Sequence, residues 1–446
     1  MKTIADITSA YAAGASTPSR TVAAVLADIA TRDGAIRAFT HIDGAGARDA
    51  AAASDRRWRA GAPLSALDGV PLTIKDNIAV AGLPLTAGMA HRRGVIAKQD
   101  AVVVARLRAA GAVIIGLSNM HEAALGSTTD NPFYGRTDNP AAPGCTPGGS
   151  SGGTAAAVAV GFVPFGIGSD TLGSVRLPAS YCGVAGLKPT PGLLPVGGLI
   201  ELSWSLDTVG PIGATLDDLA AVMRTIGGPE PGTAEAENVP DNWRQASEPV
   251  RLSALKLAIF STGAAPIDDD VLQAFDLAIA LLTRSGLTLP PVAIESWDPG
   301  RTRRDGLLIV EAEAAAVHKQ ELADKSPMSE ELRAMLTYGR TLSAARLAEA
   351  ARDFWAIGFR ARQTLAAFDA VLLPVAPQTA FMHRMKAPAS QADLTSIANA
   401  ARLPALSLPL PVARGGKPVG LQLIGRRFDD MRLLAVAAAI EAELQA

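Results

Sequence analysis

The sequence predicts an α/β protein with one large, mixed, mostly parallel central sheet that is covered by helices on both faces. Short apolar runs typical of buried strands, such as residues 112–117, alternate with longer segments whose apolar residues recur at helical spacing. Hydrophobic residues make up 48% of the 446 residues and charged residues 19%, which is enough apolar material for a large core. Because strand-like segments lie in both halves of the chain, we expect a single domain over residues 1–446.

The segment before the glycine-rich motifs is predicted to consist of helices and two buried strands. Residues 2–60 are expected to be helical, with a helix start at residues 17–19 and a second helix at about 45–60. The face of the first of these helices is apolar: Val22, Val25, Leu26 and Ile29. Asp100 is placed to cap the helix that follows it. The buried strands are expected before Lys75 and at residues 112–117.

After the glycine-rich motifs, the pattern alternates again. Thr215 precedes a predicted helix with acidic residues in its first turn. Residues 228–250 are rich in proline and glutamate and are expected to form a surface excursion. The remaining predicted elements are strands at 255–260, 369–374, 404–411 and 418–424, and helices at 268–286, within 307–367 and at 428–445.

Composition narrows the class of protein. A net charge of −2 gives no reason to expect binding to nucleic acid or to an anionic membrane. Two cysteines without redox or metal spacing favour a reducing compartment, so with no signal peptide and no long uncharged apolar run we expect a cytoplasmic protein. The five histidines lack metal-site spacing, and we expect neither a metal nor another cofactor.

Two glycine-rich turns carry the serines that point to chemistry. GGSSGG at residues 148–153 precedes an alanine-rich helix, and a second turn contains Ser174. Backbone amides can approach a ligand closely where glycine leaves no Cβ in the way, and a helix that starts at about Gly153 would direct free N–H groups at the first turn. This arrangement favours acyl transfer. Residues 147–191 contain no histidine to act as the base, whereas Lys75 ends an apolar, β-branched run upstream.

Three motifs together resemble the amidase signature family of serine amidohydrolases. They are LDGVPLTIKDNI at residues 67–78, the GGSSGG turn, and DTLGSVRLPASYCGVAGLKPT at residues 170–190. Residues 403–425 are similar to the C-terminal strands of that family. The resemblance implies one amidase domain with a signature core at about 60–220 and a helical variable region at about 300–367.

The resemblance implies a catalytic triad of Lys75, Ser150 and Ser174, in which a cis peptide bond precedes Ser150. The two serines have the family's spacing. Burial can lower the pKa of a lysine until it acts as a base, so Lys75 would accept the proton, Ser150 would relay it and Ser174 would attack the carbonyl. The N–H groups of four residues would bind the oxyanion: Thr171, Leu172, Gly173 and Ser174.

Other residues near the triad are assigned with alternatives. Asp170, Arg176 and Ser151 are expected to support the two turns, while an exposed ion pair is the alternative for Asp170 and Arg176. His121 is the only histidine near the motifs, and it is the rival base. Three residues depart from the family pattern: Leu172 replaces a glycine, Met89 a serine and Leu117 a lysine.

The predicted activity is hydrolysis of a small carboxamide, urea-like amide or anilide through an acyl-enzyme on Ser174. The alternative is the glutaminase-type A subunit of a tRNA-dependent amidotransferase, which would need a partner protein and an ammonia channel. The three departures weigh against that alternative. A non-catalytic scaffold is disfavoured because all three triad residues are present. The expected partner is a small amide substrate, with no nucleic acid and no membrane, and a homodimer is left open.

Overall fold

The computed structural model describes residues 2–233, 239–244, 250–263, 265–412 and 415–445, and these contain thirteen strands and fourteen α-helices. The strands are β1 Phe39–Ile42, β2 Pro71–Lys75, β3 Val113–Ser118, β4 Asp130–Asn131, β5 Gly135–Arg136, β6 Phe165–Asp170, β7 Ala185–Lys188, β8 Thr208–Gly213, β9 Leu257–Phe260, β10 Pro291–Val292, β11 Ala370–Pro374, β12 Ala405–Pro409 and β13 Gly420–Gly425. The helices are α1 Ile4–Ala12, α2 Pro18–Ile36, α3 Gly44–Arg59, α4 Val102–Ala109, α5 Gly152–Ala159, α6 Arg176–Cys182, α7 Leu216–Ile226, α8 Asp269–Arg284, α9 Pro299–Val317, α10 Lys319–Ala323, α11 Glu330–Thr341, α12 Ala344–Leu365, α13 Ser396–Ala400 and α14 Asp430–Gln445.

Eleven of the described strands form one sheet in the order β1-β3-β2-β6-β8-β7-β12-β13-β11-β9-β10. This confirms the predicted single-domain α/β fold with a large mixed sheet. The expectation that the sheet is mostly parallel is wrong, because only four of its ten described strand pairs are parallel, namely β2–β3, β2–β6, β11–β9 and β10–β9. Antiparallel neighbours can be joined without a crossover helix, as residues 410–419 join β12 to β13.

Apolar clusters cover both faces of the sheet, as predicted. On one face, α1, α4, α7, α8 and α14 pack against Leu72, Ile167 and Leu406. On the other face, α2, α3, α5 and α6 pack around Val113 and Ile115, and α12 and α13 cover the far end. No described helix combines the length and apolarity needed to cross a membrane.

Local signals placed most of the predicted elements. Thr17 is the N-cap of α2, and Thr215 is the N-cap of α7. The prediction for Asp100 is wrong: Ala101 occupies the N-cap of α4, and Asp100 instead accepts a hydrogen bond from Ala81 N at 2.7 Å. The surface excursion predicted at 228–250 lies partly outside the described residues. Within the described part, all residues except Gly228 and Trp243 are exposed or half-buried, as expected of a surface segment.

The fold brings the predicted motifs to one edge of the sheet. The parallel strands β2 and β6 end side by side, and β2 ends at Lys75. The GGSSGG turn leads into α5, which packs on β6, and Ser174 lies between β6 and α6. Helices α9, α11 and α12 pack on one another beyond this edge. The candidate catalytic residues therefore lie where strands β2 and β6 end and helices α5 and α6 begin, next to the layer formed by α9, α11 and α12.

Candidate active site

Lys75 lies at the centre of a buried hydrogen-bonded cluster. Its side chain is 0% exposed, and Nζ donates to Ser150 Oγ at 2.7 Å and to Ser169 Oγ at 2.8 Å. Asn77 Nδ2 also donates to Ser169 Oγ, at 3.2 Å. Neither Ser169 nor Asn77 was predicted from the sequence to belong to the site. β2 and β6 are parallel neighbours, which brings Ser169 to Lys75, and no local pattern in the sequence marks such a pairing of distant segments.

A cis peptide bond joins Gly149 to Ser150, as the resemblance implied. The backbone around it is tightly packed, since a Cβ on Gly149 would lie 2.6 Å from Thr128 N. A Cβ on Gly153 would lie 2.4 Å from Asn119 O. The glycines of this turn thus permit the close approach of neighbouring backbone that holds Ser150 beside Lys75.

Ser174 borders a cavity and is only partly buried, whereas Ser150 is 1% exposed. Ser174 O accepts a hydrogen bond from Ser151 N at 3.3 Å, and Ser151 Oγ donates to Ser169 O at 3.1 Å. Ser151 therefore ties the two turns together. Within the described part of the chain, no hydrogen bond joins Ser174 Oγ to Ser150 Oγ. The structure thus shows the contact between Lys75 and Ser150, but not the contact between Ser150 and Ser174 that the predicted relay needs.

Burial sets the charge of the two candidate bases. It lowers the pKa of Lys75 to about 7, against the opposing charges of Asp207 and Asp170. It also lowers the pKa of His121 to about 4, with Asp130 opposing this shift and Lys75 adding to it. Near neutral pH, Lys75 therefore exists in part as the free amine and His121 is uncharged. His121 also borders the cavity, and its Nδ1 lies 3.2 Å from Thr128 Oγ1.

The turn before Ser174 presents fewer free donors than the resemblance implied. Gly173, with φ of +138°, donates its N–H to Asp170 Oδ1 at 2.8 Å. Of the four predicted oxyanion donors, the N–H groups of Thr171, Leu172 and Ser174 have no protein partner among the described residues. Thr395 Oγ1 donates to Leu172 O at 2.6 Å, which fixes the orientation of the peptide that follows Leu172.

A half-buried carboxyl group, that of Asp207, was not predicted. Thr171 Oγ1 donates to Asp207 Oδ1 at 2.6 Å, and Leu202 N and Ser203 N donate to Oδ2 at 2.8 and 3.1 Å. Burial raises the pKa of Asp207 to about 6 in spite of these hydrogen bonds. Asp207 thus holds Thr171 in the turn before Ser174 and places a carboxyl group within electrostatic range of Lys75.

Asp170 and Arg176 form a fully buried ion pair, so the alternative of an exposed pair is wrong. Arg176 Nη2 lies 2.9 Å from Asp170 Oδ1, and its Nη1 donates to Gln422 Oε1 at 2.7 Å. Although burial alone would raise the pKa of Asp170, the charge and hydrogen bonds of Arg176, together with Lys188 and Asn399, hold it at about 2. The pair fixes the turn at residues 171–174 and links it to the C-terminal strands.

Replacing Arg176 with methionine is expected to lower the free energy of unfolding by about 3–5 kcal/mol, because it leaves the Asp170 carboxylate buried without its counter-charge. Urea denaturation of the purified protein measures this change. Arg136→Met is the matched control, since Arg136 pairs with Asp130 on the surface, where ion pairs contribute about 0–1 kcal/mol. Equal losses for the two variants would contradict a structural role for the buried pair.

A cavity of about 560 Å³ opens beside Ser174. Its walls are largely apolar: Ala124, Leu125, Leu172, Leu177, Leu202, Leu307, Val310, Met335, Phe381 and Met385. The side chain of Leu172 extends from the turn before Ser174 toward α9, since a Cβ on Gly306 would be 3.1 Å from Leu172 Cδ2. The other two departures do not border the cavity: Met89 and Leu117 are buried in apolar clusters. Only Leu172 is therefore placed to shape substrate binding.

Replacing Leu172 with glycine is expected to favour bulkier acyl groups by roughly 10–200-fold relative to small ones, the usual effect of resizing an apolar pocket. The measurement is kcat/KM for a series of amides of increasing acyl size. Met89→Ser is the control, because it restores the family's residue at a position away from the cavity. An unchanged ranking of substrates in the Leu172 variant would contradict this role.

Comparison with known proteins identifies the family of this chain. The family model described as Amidase matches residues 20–434, so the chain belongs to the amidase family, and the predicted resemblance and enzyme class are confirmed. The A subunit of glutamyl-tRNA(Gln) amidotransferase from Anaeromyxobacter dehalogenans (strain 2CP-C) is 37% identical over 474 residues, covering 97% of this chain and 94% of that protein.

Two solved structures extend the comparison. The A subunit of glutamyl-tRNA(Gln) amidotransferase from Thermotoga maritima has a TM-score of 0.79 and 32% identity, and the match covers 95% of this chain and 91% of that one. Native peptide amidase from Stenotrophomonas maltophilia has a TM-score of 0.87 and 28% identity, and the match covers 100% and 97%. Proteins that match this chain over nearly their whole length thus include both a named amidase and one component of a named amidotransferase.

The predicted absence of a nucleic-acid partner is wrong. Curated relatives that match this chain over more than nine-tenths of its length are named as subunits of an amidotransferase whose name contains a tRNA. Net charge misled the prediction because it describes the whole surface, whereas one component of a complex can act on a substrate that another component binds.

Proposed function

We propose that this chain cleaves a carboxamide by acyl transfer to Ser174, with Lys75 as the general base and Ser150 as the proton relay. The observation that carries the proposal is the contact of 2.7 Å between the buried Lys75 Nζ and Ser150 Oγ, next to the cavity that Ser174 borders. The pKa of Lys75, lowered to about 7 by burial, makes the free amine available near neutral pH.

In the first step, Ser174 Oγ forms a bond to the carbonyl carbon while its proton passes to Ser150, and the proton of Ser150 passes to Lys75. This requires the two serine hydroxyls to come into contact when substrate binds. The C–N bond then breaks as the leaving nitrogen takes the proton back along the same path, which leaves an ester on Ser174. Water hydrolyses that ester by the same relay, giving a carboxylic acid and the free enzyme.

The N–H groups of Thr171, Leu172 and Ser174 are proposed to stabilise the oxyanion in both steps. Donors of this kind are each worth about 3–4 kcal/mol of transition-state stabilisation in comparable sites. Asp170, through Gly173 and Arg176, and Asp207, through Thr171, hold the turn that presents them. The donors are thus positioned before substrate arrives, which is the condition for this kind of catalysis.

Two functions with different amide substrates are each supported by a different observation. The comparisons favour the A subunit of a tRNA-dependent amidotransferase, in which the chain would release ammonia from glutamine for a partner protein. The cavity favours a stand-alone amidase acting on a small carboxamide, urea-like amide or anilide, because most of the side chains around Ser174 are apolar. A cytoplasmic location, favoured by two buried and unpaired cysteines, is part of either proposal.

The test is release of ammonia or amine from glutamine and from alkyl, aryl and ureido amides, with Ser174→Ala as the blank. Turnover of glutamine that rises with a copurifying protein, ATP and tRNA would support the amidotransferase assignment. Turnover of alkyl or aryl amides by the isolated chain, without turnover of glutamine, would support the stand-alone amidase. If no amide is cleaved under either condition, the proposed activity is wrong.

A further inference from the structure

Part of the cavity wall carries polar atoms that form no hydrogen bond within the described part of the protein. Gln391 borders the cavity and is 3% exposed, yet its Oε1 has no hydrogen-bond partner in the described parts of the chain. Arg303 borders the same cavity from α9. A buried carbonyl oxygen without a partner is costly, so a ligand N–H that meets Oε1 when the Gln391 side chain turns toward the cavity gains that interaction on binding.

The charge of Arg303 is already balanced. Its Nε donates to Asp393 Oδ1 at 2.6 Å, which leaves its two Nη groups without a partner among the described residues. This part of the wall therefore offers hydrogen-bond donors and an acceptor with little net charge. A carboxylate or an ammonium group would find no full counter-charge there, whereas a neutral polar group would be well matched.

The remaining charged groups around the cavity do not change this balance. Asp130 pairs with Arg136, and His383 Nε2 lies 3.0 Å from Asp138 Oδ1. Glu331 and Lys386 are exposed to solvent. Apolar side chains such as Leu172, Leu307 and Met335 line much of the rest of the cavity. Both Ser174 and Gln391 border this cavity.

A second amide is the neutral group that fits these atoms. Its N–H can donate to Gln391 Oε1, and its carbonyl oxygen can accept from an Nη group of Arg303 or from Gln391 Nε2. An ester or ketone keeps the acceptor and lacks the donor, so it would leave Gln391 Oε1 without a partner. The discriminating feature of the ligand is therefore the N–H group.

Resting on the proposed amidase activity, we propose that Gln391, with Arg303, is a specificity-determining residue that selects carboxamides carrying a second, neutral amide or ureido group beyond an apolar spacer. Under this proposal the apolar walls contact the spacer, and Gln391 Oε1 accepts a hydrogen bond from the N–H group at the far end of the spacer. Free glutamine, which carries an ammonium and a carboxylate, is the poorer substrate.

The experiment compares paired substrates on the full chain. One series is N-acetyl ω-amino carboxamides with two to six methylenes between the two amides, and the other replaces the internal N–H with CH₂ to give the matching ketones. For the best spacer, the wild-type ratio of kcat/KM, amide over ketone, is expected to be about tenfold or more, as one buried hydrogen bond gives. In Gln391→Leu the ratio is expected to fall to about two or less.

The ratio does not depend on how much of a preparation is folded, because both substrates are measured on the same sample. Gln378→Leu is the matched control: Gln378 is also buried, does not border the cavity, and donates to Tyr181 OH at 2.7 Å. That variant should keep the wild-type ratio, and Gln391→Glu, which retains an acceptor, should keep part of it.

A wild-type ratio near one for every spacer, or a ratio that Gln391→Leu leaves unchanged, would overturn the assignment of Gln391 while leaving the amidase activity in place. A ratio that falls equally in Gln378→Leu would also overturn it. If the wild-type protein cleaves no member of either series and no simple amide, the proposed amidase activity fails, and the assignment of Gln391 fails with it.

Discussion

Ser174→Ala is expected to lower kcat/KM by more than about a thousandfold, because it removes the atom that is proposed to form the acyl-enzyme. The variant should remain folded, since Ser174 borders a cavity and its Oγ makes no hydrogen bond within the described chain. The loss is measured with any amide that the wild-type protein cleaves. In parallel, a serine-directed phosphonofluoridate should label the wild-type protein at Ser174, and mass spectrometry locates the label.

Two other side chains could be labelled in place of Ser174. Ser150 is buried and hydrogen-bonded to Lys75, and burial raises the pKa of the Cys182 thiol so that it stays protonated. Neither group is therefore expected to react. A label on Ser150 or Cys182, or an alanine variant that keeps more than about a thousandth of the wild-type rate, would show that another residue is the nucleophile.

Local patterns in the sequence were sufficient for many helices and strands. The cap at Thr17 and the buried positions Val22, Leu26 and Ile29 fix α2 without help from distant residues. The same holds for short apolar strands such as β3, which is buried along its whole length. These elements are predictable because capping and burial on one face act within one or two turns.

Pairings between distant segments could not be read in this way. Arg176 donates to Asn399 Oδ1 at 2.6 Å, to Gln422 Oε1 and to Thr395 O, all more than two hundred positions away. No periodicity marks such contacts. The antiparallel centre of the sheet escaped prediction for the same reason, since strand direction depends on connections and not on the apolar pattern of a strand.

The candidate site, too, was predictable only in part from the sequence. The resemblance supplied Lys75, Ser150 and Ser174, and the structure brings Lys75 and Ser150 together. The sequence could not show that Gly173 N–H is already bonded to Asp170, because that depends on the conformation of a single turn. Nor could it mark Gln391, whose significance lies only in being buried without a partner.

Lys75→Ala is expected to lower kcat/KM by roughly three or more orders of magnitude, because no other group in the cluster can accept the proton. The pH dependence should identify the base. With the pKa of Lys75 lowered to about 7 by burial, the amine is protonated and inactive below that pH and free above it. The wild-type kcat/KM should therefore rise with pH through about 7 and then level off.

Histidine as the base predicts a different curve. Burial lowers the pKa of His121 to about 4, so His121 would be uncharged from about pH 6 to 10 and would give no rise in that range. His121→Ala should keep a measurable rate with the same rise near pH 7. Ser150→Ala should be intermediate, since a water molecule can replace the relay hydroxyl but not its fixed position.

The measurement is kcat/KM on one substrate from about pH 6 to 10 for the wild-type protein and the three variants, with circular dichroism at each pH to confirm folding. Loss of the rise in residual Lys75→Ala activity, together with its retention in His121→Ala, would establish Lys75 as the base. A folded His121 variant as inactive as the lysine variant would replace the serine–serine–lysine mechanism with a histidine-based one. A Lys75 variant that keeps the rise near pH 7 would show that a group other than Lys75 and His121 is the base.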